Sequence, residues 1–406
     1  MLPLHSWKHL NISTMIPVLL VVTVVLGYLF SMADSISQPS AQSVLLTATD
    51  DGDHDSNVHF AFTTPPLYFL PSLATTNPVT FDPTTTNFGL ISQPYDSDPS
   101  LARRHGKDQP PTDWQRFTHH LSNLNSNAPA NTSYHVLYLA RHGQGYHNLA
   151  QSYYGTQAWD CYWAQLEGDP DSSITWADAH LSKLGEQQAR EQNRFWTSQL
   201  ATEKMPSPGA WFVSPMERAC KTAEITFEPL ARSGRLRGTW RPVVKELLRE
   251  TNGIHTCDRR SRKSSIAERY PEYEIEEGFT EEDELWDPVY RETQAAHIYR
   301  ASLLLDDVLR QTKRKEDDSY VSLTAHGGMI NAILAAVGHR RFAVKVGSAI
   351  AVIVKAEARQ GKRRHEDFET GKTKPDCVDD PLKAGLPGYK NLKDYVDQVE
   401  TSVERD

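Results

Sequence analysis

The run VLYLARHGQGYHN, residues 136–148, is the clearest indication of the fold in this chain. Its first five residues are apolar and include branched and aromatic side chains, which predicts a buried strand. At Arg141-His142-Gly143 the polarity changes abruptly, and the glycine allows a tight turn. Ligands of α/β sheets bind just beyond the carboxyl ends of the strands. A fixed cation and an imidazole at such an end therefore predict a receptor for a phosphoryl group.

Two further apolar runs end in the same way. AWFV, residues 210–213, leads into a Ser-Pro pair at Ser214, and YVSLT, residues 320–324, leads into Ala-His-Gly with His326. Proline suits the first turn of a helix, so Arg218 is expected one turn into a helix whose N-terminus faces the same crevice. A surface salt bridge is the alternative for this arginine. A second strand that runs into His-Gly is much harder to attribute to chance than a single one.

Helices and strands alternate along this part of the chain. The alternation predicts a three-layer α/β/α sandwich with a mostly parallel sheet, helices on both faces and the phosphate pocket at the strand carboxyl ends. Two insertions, residues 153–178 and 255–284, are expected to form a small cap above the pocket and to select the substrate. The other predicted elements are a helix from Ser182 to about Leu200, a strand at 241–244, helices at 291–310 and 329–337, and a last strand at 348–355.

The composition excludes some classes of protein. The chain has 406 residues, enough for one large domain with extensions, and a formal net charge of −9. Nucleic acid is therefore not expected as the main partner, because its phosphate backbone requires clustered lysine and arginine. We expect no metal site and no cofactor. The cysteines lack zinc-like spacing and specify no disulfide pairing; they are Cys161, Cys220, Cys257 and Cys377.

Residues 16–33 are predominantly apolar and carry no charge. A spanning helix needs about 20 such residues, so the segment just reaches the required length. We interpret it as a transmembrane signal anchor; a cleaved signal peptide is the alternative, because the segment ends in small residues. Lys8 before it and Asp34 after it favour a cytoplasmic n-region at 1–15 and a luminal or extracellular catalytic domain. Cleavage would instead give a secreted protein.

The rest of the chain divides by composition. Residues 34–57 are predicted to form a polar linker, and 58–99, rich in Thr, Pro and aromatic residues, an irregular arm that packs on the catalytic domain. The catalytic domain is expected to span 58–356, and a polar tail follows at 357–406. On a luminal topology the sequon at Asn131 is a usable glycosylation site.

A basic loop follows the strand at 241–244. Residues 255–263 include Arg259 and Arg260 among four closely spaced fixed cations, which suggests recognition of an anionic substrate. A solvated loop paired with the acidic run at 272–284 is the alternative.

Five motifs follow one another along the chain. They are Arg141-His142-Gly143 with Asn148, Leu181-Ser182 with Gly185 and Gln188-Ala189, Ser214-Pro215 with Arg218-Ala219, Leu248-Arg249-Glu250, and Ala325-His326-Gly327-Gly328. In this order they resemble the histidine phosphatase superfamily, the group that includes phosphoglycerate mutase. The sequence around these motifs resembles that of the phosphomutase-like proteins of the superfamily.

The resemblance implies a metal-free mechanism without a cofactor. His142 would attack phosphorus and become a phosphohistidine, since an imidazole is both a nucleophile and a good leaving group. Arg141, Arg218 and His326 would bind the phosphoryl oxygens. The substrate-binding positions that the resemblance adds are Asn148 and Gly327.

Glu250 is the expected proton donor. The acid phosphatase branch carries an aspartate directly after its second histidine, whereas this chain has Gly327; Glu246 and Glu217 are fallback candidates. Gln144 stands where mutases commonly have an acidic residue, which favours hydrolysis of a small phosphomonoester. A phosphoglycerate mutase-type phosphomutase and a catalytically silent phospholigand-binding protein are the alternatives.

Overall fold

The computed structural model describes residues 57–105, 110–312, 319–364, 369–373 and 385–404. The strands are β1 (Val58–Thr63), β2 (Thr132–Arg141), β3 (Ala210–Val213), β4 (Val243–Val244), β5 (Glu274–Ile275), β6 (Tyr290–Glu292), β7 (Tyr320–Ala325), β8 (Ala349–Gln360) and β9 (Gly371–Thr373). Seven of them form one sheet in the order β1-β8-β2-β7-β3-β4-β5, and β6 pairs with β9 separately.

The centre of the sheet is parallel. β2 pairs with β7 from Val136 opposite Tyr320 to Arg141 opposite Ala325. β3 joins the other side of β7, and β4 and β5 continue the parallel order. β8 runs antiparallel to both β2 and β1, which gives the sheet an antiparallel edge. The prediction of a mostly parallel sheet is confirmed.

Both faces of β2 are buried. Val136 and Tyr138 belong to one hydrophobic core, and Leu137 and Leu139 belong to a second. Successive side chains of a strand point to opposite faces, so a strand that is apolar at every position requires cover on both sides. Helices provide that cover, which confirms the three-layer α/β/α architecture.

The helices divide between the two faces. The α-helices are α1 (Asp98–His105), α2 (Asp113–Asn127), α3 (Tyr146–Tyr154), α4 (Thr156–Cys161), α5 (Lys183–Ser198), α6 (Glu217–Arg232), α7 (Lys263–Arg269), α8 (Gln294–Gln311), α9 (Gly327–Ala336) and α10 (Leu392–Val403). α2, α5 and α6 contribute side chains to the first core, and α8 and α9 to the second.

The two insertions meet in a third hydrophobic cluster. Tyr154, Trp163 and Trp176 come from the first insertion, and Cys257 comes from the second. The ring of Tyr154 stacks on Trp163 with centroids 3.8 Å apart. α10 packs against this cluster through Leu392 and its neighbours. The tail therefore includes a helix that covers the cap, a role that its polar composition did not indicate.

The structure differs from the sequence analysis at both ends of the catalytic domain. Val58–Thr63, expected within an irregular arm, forms the edge strand β1. Its Phe60 and Phe62 alternate and pack against the second core, which is the pattern of a strand. The Thr- and Pro-rich sequence that follows masked this signal. At the other end β8 continues to Gln360, five residues beyond the predicted strand.

The apolar segment at 16–33 lies outside the described residues. Within the part of the chain that the structure describes, no helix has the length and apolar character needed to cross a membrane. Asn131 is exposed just before β2. Cys161 is disulfide-bonded, whereas Cys220 and Cys257 are free and buried.

Candidate functional site

The site lies at the carboxyl ends of three adjacent strands, at one edge of the sheet. β2, β7 and β3 are parallel neighbours, so their carboxyl ends lie side by side. Backbone pairing continues past the strands: His142 N donates to Ala325 O at 3.0 Å, and Ser214 N donates to Thr324 O at 3.0 Å. The rings of His142 and His326 consequently lie 5.0 Å apart between centroids.

His142 is oriented by its own turn. Its Nδ1 lies 2.7 Å from the carbonyl oxygen of Gly143, which can only accept, so the proton of the neutral ring sits on Nδ1. Nε2 then carries the lone pair. Burial and the charges of Arg218 and Arg141 hold the pKa of His142 well below its usual range. The ring is therefore neutral and nucleophilic at neutral pH.

The turn after β2 is held by the start of α5. Ser182 N donates to Gln144 O at 2.8 Å, and Gln144 N donates to Gln188 Oε1 at 2.9 Å. The contact leaves no room for side chains. A Cβ on Gly143 would lie 2.3 Å from Gly185 O, and one on Gly185 would lie 2.1 Å from Gln144 O. The serine, the glycine and the glutamine of the second motif thus fix the turn that carries the histidine.

Two arginines border the histidines. Arg218 is 1% exposed, and it donates to a cap carbonyl and, through Nη2, to Asp258 Oδ1 at 3.2 Å. Arg141 donates through Nη1 to Val344 O at 3.0 Å. Its guanidinium packs on Gly327, where an added Cβ would lie 3.1 Å from Cζ. The glycine therefore lets the guanidinium approach the start of α9.

His326 is completely buried and is paired with a hydroxyl. Its Nε2 lies 2.7 Å from Ser214 Oγ, which also accepts from Met216 N at 3.4 Å. The hydroxyl proton is therefore available to Nε2, which leaves Nδ1 of the neutral ring as a donor. Burial, followed by the charge of Arg218, holds the pKa of His326 well below its usual range.

Glu250 is held by backbone amides of two segments. Its Oε1 accepts from Thr251 N at 2.9 Å, and its Oε2 accepts from Gly328 N at 3.0 Å in the first turn of α9. An added Cβ on Gly328 would lie 2.1 Å from Oε1, so a side chain at this position would displace the carboxylate. The Arg141 guanidinium lies against Gly327 and the Glu250 carboxylate against Gly328, so two successive glycines bring the two groups close together. Burial lowers the pKa of Arg141, and the Glu250 carboxylate opposes that shift.

Four buried polar atoms in this cluster have no partner among the described residues. Folded proteins leave few such atoms, so a cluster of them indicates a binding site for a ligand. Their side chains carry a positive charge or can donate a proton, which matches an anion with several acceptor oxygens. They are Arg141 Nε, Arg218 Nε, His326 Nδ1 and His147 Nδ1.

The structure brings the five expected catalytic side chains together, namely His142, His326, Arg141, Arg218 and Glu250. Asn148 lies one turn further on, in α3. Its Oδ1 accepts from Gly145 N at 3.0 Å, so this amide holds the turn.

Arg260 does not join the site. Its guanidinium is buried, donates to Glu246 at 2.7 Å and also donates to carbonyls of residues 280–282. Arg259 pairs with Glu167 at 2.6 Å. Neither arginine has its ion pair in the acidic run at 272–284, which the alternative interpretation required, and Arg260 is not solvated. A buried cation needs compensating charge, which Glu246 supplies to Arg260. The assignment of Arg260 to substrate binding is corrected accordingly.

The fallback acids are also engaged elsewhere. Glu246 accepts from Arg249 at 3.0 Å as well as from Arg260. Glu217 accepts from Arg269 at 2.6 Å. Glu250, by contrast, is bound only by neutral donors of Thr251 and Gly328 within the described residues, so it remains the candidate for the proton donor.

His147 is a site residue that the sequence analysis missed. It is 8% exposed, and its ring lies 5.4 Å from that of His142 between centroids. The ring lies against Gly145, where an added Cβ would be 2.7 Å from Nδ1. Burial and Arg218 hold the pKa of His147 well below its usual range. A second histidine within the first motif was the available signal.

Asp258 is a second missed residue. Its carboxylate accepts from Arg218 at 3.2 Å and from Arg291 at 3.1 Å, and it is 3% exposed. Burial alone would raise the pKa of Asp258, but Arg291 and Arg218 bring it below its ordinary value. The carboxylate stays charged and fixes the direction of Arg218. No local sequence pattern identified this partner, since the two residues lie 40 positions apart.

One group of side chains has the spacing of a metal site among the residues that the structure describes. His255, Cys257 and Asp258 offer ligand atoms within 4.8 Å of one another. Two guanidinium groups already neutralise Asp258, and burial raises the pKa of the Cys257 thiol, which keeps it protonated. The donor set therefore does not favour a cation.

Comparison with known proteins identifies the family of this chain. The model of the histidine phosphatase superfamily (branch 1) matches residues 169–359. A probable phosphoglycerate mutase of Arthroderma benhamiae is 43% identical over 297 residues, which are 73% of this chain and 85% of that protein. Phosphomutase-like protein 3 of Candida albicans is 32% identical, over 81% of this chain and 84% of that protein. The solved structure of mycobacterial hydrolase 1 is 21% identical, over 56% of this chain and 96% of that chain, with a TM-score of 0.32.

The electrostatics of the site can be tested by titration. We expect His142, His147 and His326 to stay neutral at about pH 6, because a lowered pKa moves protonation to more acidic pH than the usual value of about 6.5. His180 is the internal control: its side chain is 61% exposed and its hydrogen bond with Glu217 raises its pKa, so it should be charged. Nitrogen-15 NMR of histidine-labelled protein reports each ring, with single His→Gln variants for assignment. Joint protonation of all four rings at that pH would contradict the account.

Proposed function

Since the chain belongs to the histidine phosphatase superfamily, we propose that it hydrolyses a small phosphomonoester through a phosphohistidine at His142, without a metal ion. The observation that carries the proposal is the lone pair on His142 Nε2 beside Arg141 and Arg218, whose buried Nε atoms lack partners among the described residues. A neutral nucleophile surrounded by cationic donors suits the attack on a phosphate ester.

In the first step Nε2 of His142 forms a bond to phosphorus while the bond from phosphorus to the ester oxygen breaks. The guanidinium groups of Arg141 and Arg218 and the Nδ1–H of His326 bind the three phosphoryl oxygens and neutralise their negative charge. Phosphoryl transfer depends mainly on positioning and charge neutralisation, so these fixed donors can supply what metal ions supply in other enzymes.

Glu250 transfers the proton in both steps, first as the acid and then as the base. It donates a proton to the ester oxygen as that oxygen leaves. In the second step it accepts a proton from water as the water oxygen bonds to phosphorus and the bond to His142 breaks. The ring is then free of phosphate, and Glu250 is again the protonated carboxyl group with which the first step began. The two backbone amides that bind Glu250 keep its carboxylate in one orientation.

Two further side chains act as positioning residues. Ser214 sets the tautomer of His326 through its 2.7 Å contact with Nε2. Asp258 binds the Nη2 edge of Arg218 and leaves Nε for the substrate. Both act on groups that bind phosphate, so their loss should weaken catalysis without removing the nucleophile.

Transfer back to a hydroxyl of the substrate is the second candidate, because the relative from Arthroderma benhamiae is named a probable phosphoglycerate mutase. Gln144 favours hydrolysis. Its side chain accepts from Ser182 Oγ at 2.8 Å and holds the turn, so no carboxylate occupies this position. Turnover in ¹⁸O-water separates the two, since hydrolysis places the label in released phosphate and a mutase forms an isomeric phosphate ester without releasing phosphate.

We also propose a luminal or extracellular catalytic domain behind an N-terminal signal anchor. The disulfide at Cys161 supports an oxidising compartment. The exposed sequon at Asn131 would be accessible to the glycosylation machinery there.

Removal of the nucleophile should abolish hydrolysis. We expect His142→Ala to lower kcat for p-nitrophenyl phosphate by at least about a thousandfold, because no bond to phosphorus can form. Glu250→Gln should lower kcat by about a hundredfold or more on an ester with a poor leaving group, and by less on p-nitrophenyl phosphate, which needs little proton donation. Both are measured with EDTA present. His119→Ala, in α2 far from the site residues in sequence, is the control.

Activity that survives in His142→Ala, or that EDTA removes from the wild type, would contradict the metal-free phosphohistidine mechanism. Equal losses for Glu250→Gln on both esters would contradict the role of Glu250 as proton donor.

Glycosylation tests the proposed topology. The protein expressed in eukaryotic cells should shift in mass on treatment with an N-glycosidase, and Asn131→Gln should remove the shift. Asn123→Gln is the control, because Asn123 is followed by Leu and Asn and is no sequon. An untreated Asn131→Gln protein with unchanged mobility would place the domain in the cytoplasm.

A further inference from the structure

A cavity adjoins Glu250. It has a volume of about 290 Å³ and lies between α8 and α9. This volume is at the small end of the range for ligand pockets, which begins at about 300 Å³. Thr251 and Gly328 line it, and both donate their backbone N–H to the Glu250 carboxylate. The acid of the reaction therefore lies at the border of this cavity.

That position suits the leaving group of the substrate. A proton donor must lie within hydrogen-bond distance of the oxygen that it protonates, so the alcohol part of the ester begins beside Glu250. The cavity extends from Gly328 along α9 to Ala335. Seven residues of helix span roughly 10 Å, which is enough for a chain of several carbon atoms.

Neutral polar groups line the cavity. Asn331 donates through Nδ2 to Gly327 O at 2.9 Å, so its Oδ1 points away from that carbonyl and can accept a hydrogen bond. This oxygen is buried and has no partner within the described chain. His297 Nε2 is also buried without such a partner. Gln294 adds an amide from α8, and Ile298 and two alanines of α9 supply apolar contacts.

The fixed charges around the cavity are balanced. Glu292 pairs with Arg300 at 2.6 Å. Burial, with the charge of Arg300, lowers the pKa of His297 to about 4, so its ring is neutral at pH 7. Arg341 is exposed and stands at the rim. The interior therefore provides hydrogen bonds without a net charge.

A hydroxyl group matches this lining better than an anion does. Asn331 Oδ1 accepts only, so it needs a ligand that donates. His297 Nε2 is a donor or an acceptor according to the tautomer, and a hydroxyl can pair with either form. A second phosphate group, which offers acceptors alone, would leave the Asn331 oxygen unpaired.

We propose that this cavity binds the leaving group, and that the substrate is the phosphomonoester of a polyhydroxylated alcohol, whose hydroxyls pair with Asn331 and His297. The inference rests on the proposed function, since it uses Glu250 as the proton donor. It assigns the choice of substrate to α8 and α9 in addition to the cap.

The test compares two esters of equal chain length with the full-length protein. Sorbitol 6-phosphate carries hydroxyls along a six-carbon chain, and hexyl phosphate carries none. We expect the wild type to favour sorbitol 6-phosphate in kcat/KM by at least about tenfold, because a site built to bind a hydroxyl rejects the analogue that lacks it. Asn331→Leu and Gln294→Leu should each lower the ratio of the two kcat/KM values, by about tenfold for Asn331→Leu. Gln187→Leu, on α5, should leave the ratio unchanged.

Each outcome separates the inference from the proposed function. If p-nitrophenyl phosphate is hydrolysed in a His142-dependent manner but the ester ratio is the same in wild type and Asn331→Leu, the leaving-group pocket is excluded and phosphohistidine hydrolysis stands. An equal fall in kcat/KM for both esters in Asn331→Leu also overturns the inference, because it indicates general damage near α9. Loss of hydrolysis of all three esters in the wild type would overturn the proposed function and this inference with it.

Discussion

The parallel pairing of β2 with β7 is the constraint on which the site depends. Its register sets Arg141 opposite Ala325, and the backbone contact from His142 to Ala325 continues it by one residue. A shift by one residue would turn each histidine to the opposite face of the sheet. The buried, apolar faces of both strands fix the register, so packing in the two cores determines the distance between the catalytic rings.

The same site concentrates positive charge in a buried place. Arg141, Arg218 and three imidazoles lie within one cluster, and burial together with the arginines keeps the imidazoles neutral. A buried guanidinium without full compensation destabilises the unliganded fold. Binding of a phosphate dianion would relieve that cost, which supports the proposed role of this cluster as the phosphoryl site. The cap and the segment before it behave differently. Arg249 is paired with Asp283 and Arg260 with Glu246, so both cations are neutralised within the protein and stabilise its fold.

The sequence predicted the parts of this protein that depend on local pattern. Apolar runs ending in polar residues located β2, β3 and β7, and adjacency of parallel strand ends then placed His142, His326 and Arg218 together. The glycines of the turn and of α5 belonged to recognisable motifs, although only the structure shows that each excludes a side chain from the same contact.

Features that depend on distant partners were not predictable. A local pattern placed Arg218, but none indicated that Arg260 is buried and bound to Glu246 instead of facing the substrate. β1 pairs with β8 from the opposite end of the chain, and α10 covers the cap with only Leu392 and Val396 deeply buried. Such roles follow from three-dimensional packing, which composition does not record.

Trapping the covalent intermediate tests the central claim most directly. The protein would be mixed with a phosphomonoester, quenched in alkali, where phosphohistidine is stable, and mapped by peptide mass spectrometry. We expect one phosphate on the peptide that contains His142, at Nε2 by ³¹P NMR, and none in His142→Ala. Phosphate on another residue, or turnover without any phosphorylated peptide during the steady state, would contradict the account.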